Sequence, residues 1–158
     1  MRRGFGYIAA SAVLLAVVSG LVVAQAATDI TSPETIVLIS HAGKGANVNV
    51  GNKADGPGDS FLFVDKLFDE TDQTQLGDDH GQCTLQPRGW TICSVALFIS
   101  GRGQIIGQGA ITFTPGTTSF DFPLTGGTGD FANVRGSAHV ESLDPQGNRE
   151  KITLNLLP

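Results

Sequence analysis

Asp65 has the setting best suited to acid–base chemistry in this chain. It lies inside a strand-like run, Phe61 to Phe68 (FLFVDKLF), in which alternate side chains face opposite sides. Phe61, Phe63, Asp65 and Leu67 share one face, and Leu62, Val64, Lys66 and Phe68 share the other. Lys66 favours solvent, so Asp65 is expected to face inward. A carboxylate among apolar neighbours is costly unless paired or hydrogen-bonded, and its pKa tends to rise, which is the profile of a general acid or base. Asp65 also reads as a structural anchor, paired with Arg102, Arg135 or a backbone amide. His41 ends an apolar run, where it is either a rim histidine or, if it faces inward, a proton-shuttle partner for Asp65.

Other chemical motifs are weaker. Asp78, Asp79 and His80 resemble metal ligands, but Asp79 and His80 should point to opposite sides of a strand and no second cluster accompanies them. A solvated strand entry is the better reading, and no metal is expected. The run Gly127 to Ala132 has the letters of a dinucleotide fingerprint, yet the next strand follows within a handful of residues and leaves no room for a helix. No G-x-S-x-G elbow is present. No cofactor is expected. Cys83 and Cys93 lie symmetrically about the turn Gln86-Pro87-Arg88-Gly89-Trp90, as cross-strand partners of one hairpin would, and in an exported protein they are expected to form a disulfide.

Export is suggested by the N-terminus. Arg2 and Arg3 precede an apolar run from Ile8 to Val23, and Ala24-Gln25-Ala26 offers small residues to a signal peptidase. Cleavage after Ala26 is expected, by a general or twin-arginine route, leaving a secreted or extracytoplasmic protein with no stable membrane insertion. Residues 27–33 read as a flexible leader and 34–158 as a single domain. The chain has 15 acidic against 10 basic residues, two of the latter in the signal, and no basic cluster, so no nucleic-acid partner is expected.

The elements that must position these residues are nearly all strands. Nine strand-like runs fall at Thr35–Ser40, Ala46–Val50, Phe61–Phe68, His80–Leu85, Thr91–Ser100, Gln104–Thr114, Thr118–Leu124, Ser137–Ser142 and Glu150–Leu156, separated by Gly, Pro, Asn and Asp. No helical stripe of any length interrupts them. Short, evenly spaced strands suggest a sandwich or a closed barrel.

The run Leu124 to Gly136, LTGGTGDFANVRG, resembles the glycine-rich turn of allene oxide cyclases and plant dirigent proteins. Gly58 to Glu70 (GDSFLFVDKLFDE), Gly77 to Cys83 (GDDHGQC) and Gly107 to Gly109 (GQG) follow the same order. The resemblance implies an all-β fold, an eight-stranded antiparallel β-barrel of the allene oxide cyclase/dirigent type, and by analogy a homotrimer. It places Phe61, Phe63 and Asp65 on cavity-facing positions, with Asp65 where the cyclases carry asparagine, and Cys83 where they carry a cavity cysteine. It also matches Asp130 and Arg135 to a dirigent pair that could bind phenolic oxygens at the barrel mouth, or simply pin the turn. The cyclases' cavity tyrosine falls on Ile111, and their first-strand glutamate has no counterpart in Thr35 to Gly43, so the likeness does not extend to allene oxide cyclisation.

The expected cavity is lined by Phe61, Phe63, Leu67, Val95, Leu97, Ile111 and Phe113, with Gly107 and Gly109 leaving open volume and Phe120 or Phe122 joining. Such a site suits a hydrophobic small molecule. Two functions are open: a cofactor-free cyclase or isomerase of a conjugated polyketide-like or oxylipin-like compound, and an exported carrier or dirigent-like protein that binds an apolar or phenolic ligand. A barrel packed shut is a third.

Overall fold

The computed structural model describes residues 32–51, 55–113 and 116–158. The expected signal peptide, and all but the last two residues of the leader, lie outside the described residues. Eight strands follow in order: β1 (Glu34–Val48), β2 (Ser60–Phe68), β3 (Gln75–Leu85), β4 (Trp90–Ile99), β5 (Gly103–Thr112), β6 (Ser119–Gly129), β7 (Arg135–Ser142) and β8 (Arg149–Leu157). Each pairs antiparallel with the next, and β1 pairs with β8, so the sheet closes on itself as a barrel with no free edge.

Two of the expected strands are one. Thr35–Ser40 and Ala46–Val50 merge into β1, which pairs with β8 along its first half and with β2 along its second. The join is a bulge: His41 lies opposite Lys66 and Lys44 opposite Val64, so Ala42 and Gly43 together face Asp65. A side chain at Gly43 would bring its Cβ within 2.2 Å of the Val64 carbonyl oxygen, so the bulge requires glycine there. β3 also begins at Gln75, earlier than expected, which carries Asp78 and Asp79 into the sheet.

The alternation expected of β2 is present, with Leu62, Val64 and Lys66 exposed and Leu67 buried. The same alternation on the other strands fills one half of the barrel with Leu38, Leu67, Ile99, Ile105, Leu154 and Leu156, all buried. The β6–β7 turn seals that half. Gly129 takes a positive φ of 64°, the chain doubles back, and Phe131 and Val134 are driven into the core at 0% and 1% exposure. Arg102 lies over the Phe131 ring at 4.7 Å and bonds Asp130 and Glu34, each at 3.3 Å, fixing the plug from outside.

Candidate functional site

The opposite half of the barrel is hollow. A cavity of about 600 Å³ is walled by Val95, Leu97, Ile111 and Ile152 and by the rings of Phe61, Phe63, Phe113, Phe120 and Phe122. Such a volume suits one small ligand. Of the side chains expected to line it, only Leu67 does not; it is fully buried in the packed half. Gly107 lines the wall, but neither it nor Gly109 leaves open space. A Cβ at Gly107 would meet the Phe122 ring at 2.7 Å, and one at Gly109 would meet Pro123 at 2.7 Å. These glycines seat neighbouring rings instead. Gly81 plays the same part for Phe63, whose ring tip stands 2.0 Å from where its Cβ would be.

Cys83 and Cys93 are directly opposed across β3 and β4, form a disulfide and belong to the cavity wall. Neither is available as a thiol.

The polar part of the cavity is acidic. Asp65 faces inward from β2 and accepts a 2.8 Å hydrogen bond from the Gly43 amide, so the bulge in β1 holds the carboxylate in place. Directly opposite Asp65 is Asp79, only 4% exposed, whose Oδ1 accepts the Asp65 amide at 3.2 Å. Asp79 is therefore not a solvated strand entry. Burial, and then the charge of Asp65, push its pKa up to about 7. Glu150 enters from β8, opposite Ser40, and burial followed by the Asp65 charge raises its pKa as well. Asp79 and Glu150 thus both resist ionisation, because burial and the negative charge of Asp65 act on each.

His41 is not part of this group. Its Nε2 lies 2.6 Å from Asp72 Oδ1, its ring packs on Phe68 at 4.6 Å, and Arg149 binds the same Asp72 carboxylate. This cluster staples the β2–β3 turn to the barrel, and the structure does not assemble His41 with Asp65. Asp130 and Arg135 are likewise not a rim pair: Asp130 binds Arg102 beside the Phe131 plug, at the end away from the cavity. His80 points outward onto Phe98, at a ring separation of 5.1 Å, and among the described residues no group of His, Cys, Asp or Glu has a metal-binding arrangement.

Asp79 and Glu150 are the site residues that sequence reasoning missed. Strand parity could have found both. Asp79 is two residue pairs from Cys83 on the same face, and Glu150 shares a face with Ile152, Leu154 and Leu156.

No family's sequence pattern matches the chain, and no curated protein matches it in sequence. Solved structures do. A pyocyanin demethylase superimposes with a TM-score of 0.67 at 26% identity, over 78% of this chain and all of that one. An exo-specific intermolecular Diels-Alderase, AbnU, follows with a TM-score of 0.64 at 19% identity, over 79% and 98% of the two chains. A pterocarpan synthase dirigent protein gives 0.60 at 16% identity, over 79% and 86%. This chain has the allene oxide cyclase/dirigent-like barrel fold. The fold hosts several chemistries, so function has to be argued from the cavity itself.

Proposed function

We propose that the protein is an enzyme that binds a hydrophobic, conjugated small molecule in the barrel cavity and rearranges it as a cyclase or isomerase, with Asp79 moving the proton. The observation that carries this reading is a buried carboxyl whose pKa lies at about 7, set in an otherwise apolar, ligand-sized cavity. Such a group exists in both protonation states near neutrality, so it gives a proton to a carbonyl or alkene and recovers one elsewhere on the same skeleton. The aromatic walls supply the second component, holding a flexible substrate in one reactive conformer. Proton transfer and ring closure conserve electrons overall, so this chemistry needs no redox cofactor. The structural neighbours named as Diels-Alderase, pterocarpan synthase and pyocyanin demethylase support a barrel that acts on small molecules.

Export is part of the proposal. The Cys83–Cys93 disulfide is compatible with an oxidising compartment, and no helix among the described residues is long and apolar enough to cross a membrane.

The test is incubation of the protein with small-molecule extract of its host, followed by chromatography and mass spectrometry. An isomerisation product keeps its precursor's mass and changes retention. Asp79→Asn is expected to abolish the conversion while retaining the ligand. A compound recovered unchanged identifies a carrier, and full turnover in Asp79→Asn rejects the acid–base role. Native mass spectrometry of the same preparation checks signal cleavage and the homotrimer expected by analogy.

A further inference from the structure

We infer that the cavity selects a cationic ligand, an apolar or aromatic molecule bearing a positive charge on nitrogen. This deepens the proposed function and rests on the same cavity. The first observation is a charge imbalance. Asp65, Asp79 and Glu150 line the cavity, and none of them takes part in any ion pair of the described residues. The basic residues that flank these acids in sequence are directed elsewhere: Lys66 is exposed and bonds Gln75, Arg149 binds Asp72 and Lys151 binds Glu141, so β8 turns its two cations outward and its one carboxylate inward. Lys44 is the single cationic residue of the lining, and it is exposed. The lining residues of β4 to β7 contribute no titratable group.

The second observation is independent of the acids. The cavity holds a connected set of aromatic rings, with Phe61 at 6.3 Å from both Phe63 and Phe113, and Phe113 at 5.9 Å from Phe120. Aromatic faces attract cations as well as apolar surface, and the attraction is stronger where water is excluded. A neutral hydrocarbon would use the rings alone and leave the carboxylates unpaired. An anion would meet repulsion from Asp65, Asp79 and Glu150 together. A cationic ring system uses both features, because its flat body packs on the phenylalanines while its charge offsets the desolvated acids.

Binding such a ligand also has a proton signature. Asp79 is held near a pKa of about 7 by burial and by Asp65, with Glu150 and Asp78 adding like charge. A cation arriving beside Asp79 favours its ionised form, so near pH 7 association should expel a proton.

Three probes of similar shape separate the alternatives: 1-methylquinolinium, its uncharged counterpart 1-methylnaphthalene, and the anion 1-naphthoate. Titrated into the full protein at pH 8, 1-methylquinolinium is expected to bind at least about tenfold more tightly than 1-methylnaphthalene, with 1-naphthoate weakest. The cation preference should vanish in the Asp65→Asn/Asp79→Asn/Glu150→Gln variant, with affinity for 1-methylnaphthalene kept. If that variant does not fold, Glu150→Gln alone should reduce the preference. Calorimetry at pH 7 in two buffers of different ionisation enthalpy should show proton release with 1-methylquinolinium only. Equal binding of the charged and neutral probes overturns the inference and leaves the cavity reading intact. Binding of none of the three overturns both. Persistence of the cation preference in a protein that converts nothing would reject catalysis and keep the selectivity.

Discussion

The two ends of the barrel are made from the same eight strands and the same inward alternation, yet they differ in what fills the inner positions. At the sealed end these are Leu38, Leu67, Ile105, Leu154 and Leu156, closed over by Phe131, and the nearby charges are paired through Arg102, Glu34 and Asp130. At the hollow end the inner positions hold glycines under phenylalanine rings, a disulfide and three acids that form no ion pair among the described residues. Dense aliphatic packing stabilises one end. The other end gives up that packing and keeps desolvated carboxylates, a combination that costs stability and makes sense only if a ligand enters.

The comparison breaks most visibly at the plug. Phe131→Ala removes a fully buried ring and the seat of Arg102, and should cost about 3–5 kcal/mol in chemical denaturation. Ligand affinity per folded molecule should hardly change. A large loss of affinity at unchanged stability would show that the two ends are not separate in role. Next in size is the disulfide. Cys83→Ser/Cys93→Ser should lose about 2–3 kcal/mol by freeing the short loop between the cysteines, and should loosen the cavity wall with it. Its affinity for 1-methylnaphthalene is the readout that distinguishes this from damage at the plug.

Asp79 sharpens the contrast through pH. Its folded pKa, about 7, lies above the ordinary value of 3.8, so between these pH values the native state holds a proton that the unfolded chain has released. Stability from this group is therefore greatest below the ordinary value and is lost as pH rises toward 7. Asp79→Asn should make the protein about 1–3 kcal/mol more stable at pH 8, with the gain shrinking toward zero in acid. An Asn variant less stable at pH 8 would mean that a stabilising partner, not burial, dominates the site. The smallest expected effect is that of Gly81→Ala, which must move the Phe63 ring into the cavity and costs about 1 kcal/mol of stability. Binding of 1-methylnaphthalene should suffer more than stability does.

Much of the hollow end was legible in the chain. The period-two pattern of Phe61 to Phe68 orients Asp65, because a lysine beside it has a strong preference for water. The spacing of Cys83 and Cys93 about a short turn makes them partners, because a hairpin sets its own register. The glycine-rich run before Phe131 marks a reversal, although its role as a seal, with Asp130 bound to Arg102, was not evident. Asp79 and Glu150 went unrecognised since each sits beside residues that look like ordinary surface, Asp78 and His80 in one case and Arg149 and Lys151 in the other.

Local alternation and turn chemistry thus determined, from the sequence alone, which face most side chains take, most of the chain reversals and which two cysteines stand opposite each other. Tertiary structure alone decided which inward faces meet. Closure of β1 on β8 brings Glu150 into the cavity that also holds Asp65 and Asp79, and the bulge at Gly43 turns an amide toward Asp65. The shift of Asp79, the isolation of His41 and the acidity of the cavity all arise from distances across strands far apart in the chain, and these distances exist only once the barrel has closed.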